Sequence, residues 1–292
     1  MRKRKDNLLF TAFLFPALFS LIMVIGIPFL LGIYYSFTNW NGVSSDVSFV
    51  GFANYLAIFQ KDPKFLHAFL ITIIYALLNV LVVNVVAVGL ALLVTQHLRL
   101  TNLYRAAFFA PNLIGGLVLG YIWQFIYNNV ISSFSFMPQM LAKPGTSLVA
   151  IVITGTWQYA GYIMMIYVAA IQGVPDSLIE AAAIDGATFG QRFRHILFPL
   201  IAQSFTICMF LSLTSSFKQF DVNVSLTNGG PAATFMGESI HFTELMALNI
   251  YNTAFSYNKM GEGQAKAIIY FLLLLVTSVT QVYFNKKREV EV

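Results

Sequence analysis

The sequence predicts an all-α, polytopic integral membrane protein with six transmembrane helices. Of its 292 residues, 58% are hydrophobic and only 10% are charged, whereas soluble domains carry about 25% charged residues. Asp, Glu, Lys and Arg are absent between Lys64 and Arg99, and again from Gly145 to Pro175. No soluble segment interrupts this pattern, so we expect one transmembrane domain over residues 1–292.

Six apolar runs are long enough to approach or exceed the roughly 20 residues that a helix needs to cross a bilayer. The first run is longer than required and contains Pro16 and Pro28, so we expect it to tilt or kink. Because it is long and lacks a convincing small-residue cleavage site, we expect an uncleaved span rather than a signal peptide. The predicted spans are residues 8–37, 69–94, 106–127, 148–171, 199–217 and 265–284.

The basic residues predict the orientation in the membrane. With a cytoplasmic N-terminus, 11 of the 17 Lys and Arg residues fall on the cytoplasmic side. Loops rich in Lys and Arg stay on that side, so we expect both termini and residues 174–198 in the cytoplasm. This clustering at span ends explains the net charge of +5, and no nucleic-acid partner is expected. The single cysteine, Cys208, lies in an apolar run and excludes a disulfide framework.

The longest polar interruption that is itself built like folded structure is residues 174–199. Pro175 ends the preceding helix, and Ser177 with Glu180 three residues later predicts a capping box at the start of a new helix. Gly186 then predicts the end of that helix.

A second capping pair, Thr188 and Gln191, predicts another helix that runs to Pro199. The segment is therefore expected to form two short helices joined at a glycine corner, on one membrane face. Its charges make burial in the bilayer too costly, at roughly 2.5–3.5 kcal/mol each. These charged residues are Asp176, Glu180, Asp185, Arg192 and Arg194.

Glu180-Ala181-Ala182, followed by Asp185-Gly186-Ala187 and Ile196–Pro199, resembles the "EAA" loop of ABC importer permeases. In that family the loop is the cytoplasmic segment that docks on the ATP-hydrolysing subunit. The alternative is an ordinary cytoplasmic connector that happens to be rich in alanine. The resemblance implies that the coupling residues are Ser177, Glu180, Ala181, Ala182, Asp185, Gly186, Ala187 and Arg192.

Two further stretches resemble the external loops of sugar-type importer permeases. Phe49–Tyr55 is similar to the first external loop, and Leu226–Pro231 (LTNGGP) to the loop after the fifth span. The second motif is typical of the first permease of maltose- and glycerol-phosphate-type pairs. The stretch Gly237–Phe255, which follows it, has apolar residues at helical spacing and predicts an amphipathic helix.

The resemblance implies a type I ABC importer permease fold in the bacterial plasma membrane, surrounded by membrane lipid. It also implies the partners: a homologous second permease, two cytoplasmic ABC ATPase subunits and an extracytoplasmic solute-binding protein, with a sugar as substrate. This chain is expected to bind no cofactor of its own, because ATP and Mg²⁺ belong to the partner ATPase.

The residues themselves indicate no catalytic or metal site. The four histidines are scattered without ligand spacing, and the sequence contains no HExxH, Walker or GxSxG motif. If transport is driven by ATP, the nucleotide must therefore bind to another chain.

Polar side chains inside the apolar runs are candidates for a solute pathway, because such groups are costly against lipid. In the fifth run, serines and a glutamine recur at three- and four-residue spacing on one helix face. Amides and hydroxyls next to aromatic rings suit a neutral, hydroxyl-rich ligand such as a sugar. Carried over from the maltose-type permeases, the candidate substrate positions are Asn112, Gln158, Tyr159, Tyr162, Ser212, Ser215, Ser216 and Gln219.

Several of these positions differ in residue type from the maltose pattern, so the sugar remains open. The serines have an alternative role, since serines in membrane helices often bond their own backbone or a neighbouring helix. Lys218 and Asp221, at the outer helix end, could pair with each other, reach into the interface or contact a ligand.

Two other functions remain open. An ABC permease for a peptide, amino acid or phosphate would share the loop, although the LTNGGP motif and the uncharged lining favour a sugar. A secondary transporter would need an ion-coupling carboxylate inside a span, and the six predicted spans contain no Asp or Glu.

Overall fold

Helices make up most of the chain, and the only sheet in the described residues is a two-stranded hairpin. The structure is a computed structural model that describes residues 2–96, 99–134 and 139–286. The helices are α1 (Arg2–Leu21), α2 (Ile27–Ser36), α3 (Ala53–Lys61), α4 (Pro63–Val94), α5 (Thr101–Phe109), α6 (Gly116–Phe125), α7 (Pro144–Gln172), α8 (Asp176–Ile184), α9 (Phe189–Arg192), α10 (Phe198–Leu200), α11 (Ala202–Phe217), α12 (Asp221–Thr227), α13 (Met246–Tyr251) and α14 (Met260–Lys286). The strands are β1 (Ala232–Phe235) and β2 (Glu238–His241). Tighter or wider helical turns occupy Ile22–Gly26, Ala110–Leu113, Ile126–Val130, Ile131–Ser133, Phe193–Leu197 and Asn252–Ser256.

Among the described residues, four unbroken helices and two bent helix pairs are long and apolar enough to cross a membrane. The unbroken helices are Phe10–Ser36, Pro63–Val94, Pro144–Gln172 and Met260–Phe284. The bent pairs are Thr101–Leu113 with Gly116–Ser133, at 98°, and Phe189–Leu200 with Ala202–Phe217, at 75°. Each predicted apolar run thus overlaps one helix or one bent pair.

The sequence did not predict the sharp break in the third run. Pro111 lacks a backbone N–H, so the helix tightens there, and Ile114 is extended. The glycines that follow let α6 start in a new direction. The break is packed closely against α7, because a Cβ at Gly161 would overlap the carbonyl of Phe108.

The chain forms two compact units. The first comprises residues 1–62 and 250–272. In this unit α2 lies against the first part of α14, where Phe29 and Phe271 pack with ring centroids 5.2 Å apart. Lys266 is 2% exposed. It forms a 2.6 Å ion pair with Asp62 and a 2.8 Å hydrogen bond to the Thr253 hydroxyl.

The second unit comprises residues 63–249 and 273–292, and α4, α7 and α11 form its core. Asn84 of α4 is central to this packing, because its amide nitrogen donates to Ser212 of α11 and its oxygen accepts from Tyr167 of α7. The distances are 2.9 and 2.7 Å. Such interhelical hydrogen bonds fix the packing of membrane helices.

The predicted amphipathic helix over Gly237–Phe255 is wrong for its first part, which is strand β2 of a hairpin. Phe235 of β1 pairs with Glu238 of β2, so Met236 and Gly237 form a two-residue turn. Both have positive φ, at 50° and 84°, as tight hairpin turns require. Only Met246–Ser256 continues as helical structure.

Candidate functional site

A polar cavity of about 220 Å³ lies in the second unit, between α4, the α5–α6 break, α7 and the junction of α11 with α12. Amides, hydroxyls and one carboxylate form its wall, and no Lys, Arg or His is among the lining residues. The lining residues are Asn79, Asn112, Gly116, Gly155, Gln158, Tyr159, Ser215, Gln219 and Asp221. Because these groups donate and accept hydrogen bonds and none is positively charged, the cavity suits a polar solute that is not an anion.

The helix break explains how the third span contributes to this cavity. The break turns Asn112 into the wall, and it exposes the Ile114 carbonyl, which accepts a 3.0 Å hydrogen bond from the Gln158 side chain. The side-chain amide of Gln158 in α7 is therefore held in place by the backbone of the broken third span.

Gly155 of α7 leaves a polar notch in the wall. A Cβ there would lie 3.1 Å from the Tyr75 hydroxyl, 3.3 Å from the Asn79 Oδ1 and 3.7 Å from the Gln219 Nε2. Asn79 is 4% exposed. Its nitrogen donates to Ser216, but its Oδ1 has no hydrogen-bond partner. An unpaired buried acceptor is costly, so a donor such as a solute hydroxyl is the complementary group.

Asp221 supplies the only charge in the cavity wall. It lies at the start of α12, where a Cβ at Gly116 would be 2.7 Å from the Asp221 Cβ. The described side chains of Lys218 and Asp221 form no ion pair with each other, so the carboxylate faces the cavity without a basic neighbour in its wall.

The structure brings together five of the eight predicted substrate positions and separates the other three. Asn112, Gln158, Tyr159, Ser215 and Gln219 line the cavity. Ser212 and Ser216 are 0% and 1% exposed and bond to α4 asparagines and to their own helix. Tyr162 lies outside the wall, with its ring 5.3 Å from that of Tyr159.

Sequence reasoning missed Asn79, Gly116 and Gly155. Asn79 carried a usable signal, because an amide in a long uncharged helix must find a polar neighbour. The two glycines carried none, since their role depends on which side chains approach them.

A larger groove of about 680 Å³ lies between α4, α11 and the end of α14. Apart from Asn84, Thr277 and Gln281, its wall is apolar. It therefore offers few hydrogen bonds to a hydroxyl-rich solute.

Residues 174–199, named the EAA loop here for the resemblance described above, have the predicted glycine corner. Gly186 has φ +79°, and Ala187 N–H and Gly186 N–H donate to the Ala182 and Ala183 carbonyls at 2.9 and 3.1 Å. This is a Schellman end, which favours glycine at the left-handed position. The predicted end of α8 is confirmed.

The predicted capping box of Ser177 and Glu180 is wrong. The helix starts two residues earlier than predicted, at Asp176, and Pro175 occupies the capping position without a side-chain bond. Ser177 is therefore already inside the first turn, where its hydroxyl cannot cap the helix. The second predicted box is confirmed, because Thr188 and Gln191 bond reciprocally at the start of α9.

Two large apolar side chains near the corner between α8 and α9 are exposed. Ile184 is 87% and Phe189 60% exposed. At the corner, a cavity of about 330 Å³ brings together the predicted Asp185, Gly186, Ala187 and Arg192. Ser177, Glu180, Ala181 and Ala182 lie on α8, outside this cavity.

Comparison with known proteins identifies the family. Residues 85–290 match the family described as "Binding-protein-dependent transport system inner membrane component". The chain is 45% identical to the probable starch degradation products transport system permease protein AmyD of Thermoanaerobacterium thermosulfurigenes, with 98% of this chain and 97% of the relative covered. It is 29% identical to the multiple sugar-binding transport system permease protein MsmF of Streptococcus mutans, with 95% of each covered.

The fold matches a chain from the crystal structure of a bacterial ABC transporter that imports the acidic polysaccharide alginate. The TM-score is 0.82 at 18% identity, and 98% of each chain is covered. The predicted all-α, type I ABC importer permease fold is thereby confirmed. The family is one of multi-pass membrane permease subunits rather than of enzymes. The chain belongs to the binding-protein-dependent transport system inner membrane components, as a permease subunit of an ABC importer.

Proposed function

We propose that this chain forms half of the pathway through which an ATP-driven, binding-protein-dependent importer moves a neutral sugar. The observation that carries the proposal is the polar cavity, whose wall combines amides and hydroxyls with a single carboxylate. The names of the AmyD and MsmF relatives, which refer to starch products and sugars, support the same substrate class.

The cavity favours an uncharged solute over an anion. Asn79 Oδ1 and the Asp221 carboxylate are acceptors, so they bind hydroxyl groups and repel phosphate or carboxylate groups. The Tyr159 ring offers an apolar face for the C–H groups of a sugar ring. Other relatives are named for sn-glycerol-3-phosphate, an anion that this wall does not favour.

The EAA loop is the proposed contact with the motor. Two cytoplasmic ATPase subunits would bind ATP and Mg²⁺, and one would cover the exposed Ile184 and Phe189 side chains. A homologous second permease would complete the pathway, and an extracytoplasmic solute-binding protein would deliver the sugar. In this arrangement both termini and the loop are cytoplasmic.

ATP binding would close the ATPase dimer and displace α8. The Gly186 corner joins α8 to α9 and, through α10, to α11, so the displacement would move one wall of the cavity. This movement would close the inner opening of the pathway and open the outer one. ATP can drive such a change only through a difference in its affinity for the two states.

Filling the notch at Gly155 tests the proposed pathway. A Gly155→Val side chain would meet the Tyr75, Asn79 and Gln219 groups, so we expect sugar uptake to fall at least tenfold. The control is Gly145→Val in the same helix, where a Cβ meets nothing within 4 Å.

Uptake of a labelled maltodextrin is measured in cells that express the chain with the subunits encoded beside it. Membrane levels of both variants are compared by immunoblot. Equal uptake by the two variants at equal levels would contradict the pathway, and uptake that persists without ATP hydrolysis would contradict ATP-driven import.

A further inference from the structure

A basic pocket of about 450 Å³ lies in the second unit, where α4 ends, α5 begins and α7 ends. Arg99 and Arg105 both line it, together with polar side chains that include Gln96, Asn102 and Gln172. No Asp or Glu is among the residues that form its wall. Neither the polar cavity nor the EAA corner shares any of these residues.

The two arginines have no acidic partner within the elements that build the pocket. The sequence contains no Asp or Glu between Asp62 and Asp176, which covers α4 to α7 entirely. Neither Arg99 nor Arg105 belongs to an ion pair between residues that the structure describes. Within the elements that build the pocket, its positive charge is therefore uncompensated.

Arg105 also has unused hydrogen-bond donors. A guanidinium carries five N–H donors, and the Arg105 Nη2 makes one 3.3 Å bond, to the Val94 carbonyl. Its Nε is shielded from solvent and has no hydrogen-bond partner. An anionic acceptor would bind the guanidinium donors that reach the pocket, and its charge would offset the cost of the buried, unpaired Nε.

The position of the pocket defines where such an anion comes from. The apolar helices α4 and α7 both end here, which places the pocket at a bilayer surface. Gln172, the last residue of α7, is separated from α8 by only three residues, so this is the surface that carries the EAA loop. The N-terminus of α5 adds a partial positive charge at the same point.

We propose that this pocket binds a phosphate group, from the headgroup of an anionic phospholipid or from free phosphate. The planar guanidinium groups of Arg99 and Arg105 would bind the phosphate oxygens. The bound group would link the start of α5 to the end of α7, and thereby hold the base of the EAA loop.

Lipid binding to the delipidated full-length chain tests the proposal. Native mass spectrometry measures the binding of phosphatidylglycerol and of phosphatidylcholine, and thermal unfolding is recorded with and without millimolar inorganic phosphate. The test variant is Arg99→Gln/Arg105→Gln. The control is Lys61→Gln/Lys143→Gln, which removes the same charge at positions that precede α4 and α7 in the sequence, away from the ends that form the pocket.

A headgroup site predicts that wild type and control prefer phosphatidylglycerol, and that the arginine variant binds it roughly tenfold more weakly. A free-phosphate site predicts that phosphate raises the melting temperature of wild type and control but not of the arginine variant. If neither probe separates the arginine variant from the control, the proposal is wrong.

Should the double variant aggregate, Arg99→Gln alone takes its place, because Arg99 is exposed and its loss leaves the Arg105–Val94 bond intact. A partial loss of binding is then expected, and unchanged affinity for both probes would overturn the proposal.

Discussion

At the residue scale, hydrogen-bond partners decide which polar side chains can meet a solute. Ser212, Ser215 and Ser216 follow each other closely on α11, yet only Ser215 lines the cavity. Ser212 and Ser216 bond to Asn84 and Asn79 of α4. The helical period predicted that the serines share one region of the helix. It could not predict which neighbouring helix that region faces, because this depends on tertiary packing.

The Lys266–Asp62 ion pair gives a prediction for stability. Lys266→Gln removes one partner of a buried pair, so we expect a loss of about 3 kcal/mol and a lower melting temperature in detergent. Lys259→Gln is the matched control, because it removes an ion pair with Glu262 in which the lysine side chain is 61% exposed. Exposed ion pairs contribute less than about 1 kcal/mol to stability. An equal melting temperature for the two variants would show that burial of the pair does not matter.

At the element scale, breaks in the helices rather than the helices themselves build the functional sites. The α5–α6 break carries Asn112 into the cavity, and the corner at Gly186 orients α8 against α9. The sequence predicted the Gly186 corner because a glycine after an alanine-rich helix is a strong local signal. The 98° break at Ile114 was not predicted, because a proline in an apolar run bends a helix by an amount that its neighbours decide.

The Gly186 corner gives a prediction for coupling. Alanine in a left-handed conformation costs roughly 1–2 kcal/mol, so Gly186→Ala should distort the corner. We expect sugar uptake to fall several-fold while ATP hydrolysis by the assembled complex becomes less dependent on the solute-binding protein.

Gly190→Ala is the control for this variant, because Gly190 lies in helical conformation in α9 and a Cβ there meets nothing within 4 Å. Both variants should reach the membrane at equal levels. Uptake and ATP hydrolysis that match the control would contradict a coupling role for the corner.

At the scale of the whole molecule, composition predicted the fold class well. In lipid, the backbone groups of a long apolar run must form their hydrogen bonds internally, as they do in a helix. The six long, uncharged apolar runs therefore predicted an all-α membrane protein. The β1–β2 hairpin was missed because the helical spacing of Leu245, Leu248, Tyr251 and Phe255, which lie after strand β2, was extended back over it. The turn at Met236 and Gly237 depends on backbone conformation. The side of the bilayer that each loop occupies is predicted from charge alone and can be measured directly.

Cysteine labelling measures this orientation. Cys208 is the only cysteine of the chain and is buried. Maleimide labelling of the chain therefore comes from the introduced cysteine. In right-side-out membrane vesicles, a membrane-impermeant maleimide should label Gly237→Cys directly and Gly190→Cys only after permeabilisation. Labelling of Gly190→Cys in sealed vesicles would place the EAA loop outside and reverse the proposed orientation.

The ion pair between Asp62 and Lys266 also constrains how the chain is made. The ribosome completes the Asp62 carboxylate about two hundred residues before it adds the Lys266 amine, which belongs to α14. Until that helix is synthesised, the acid must remain hydrated at the membrane surface. The first compact unit can therefore close only after α14 has been synthesised and inserted.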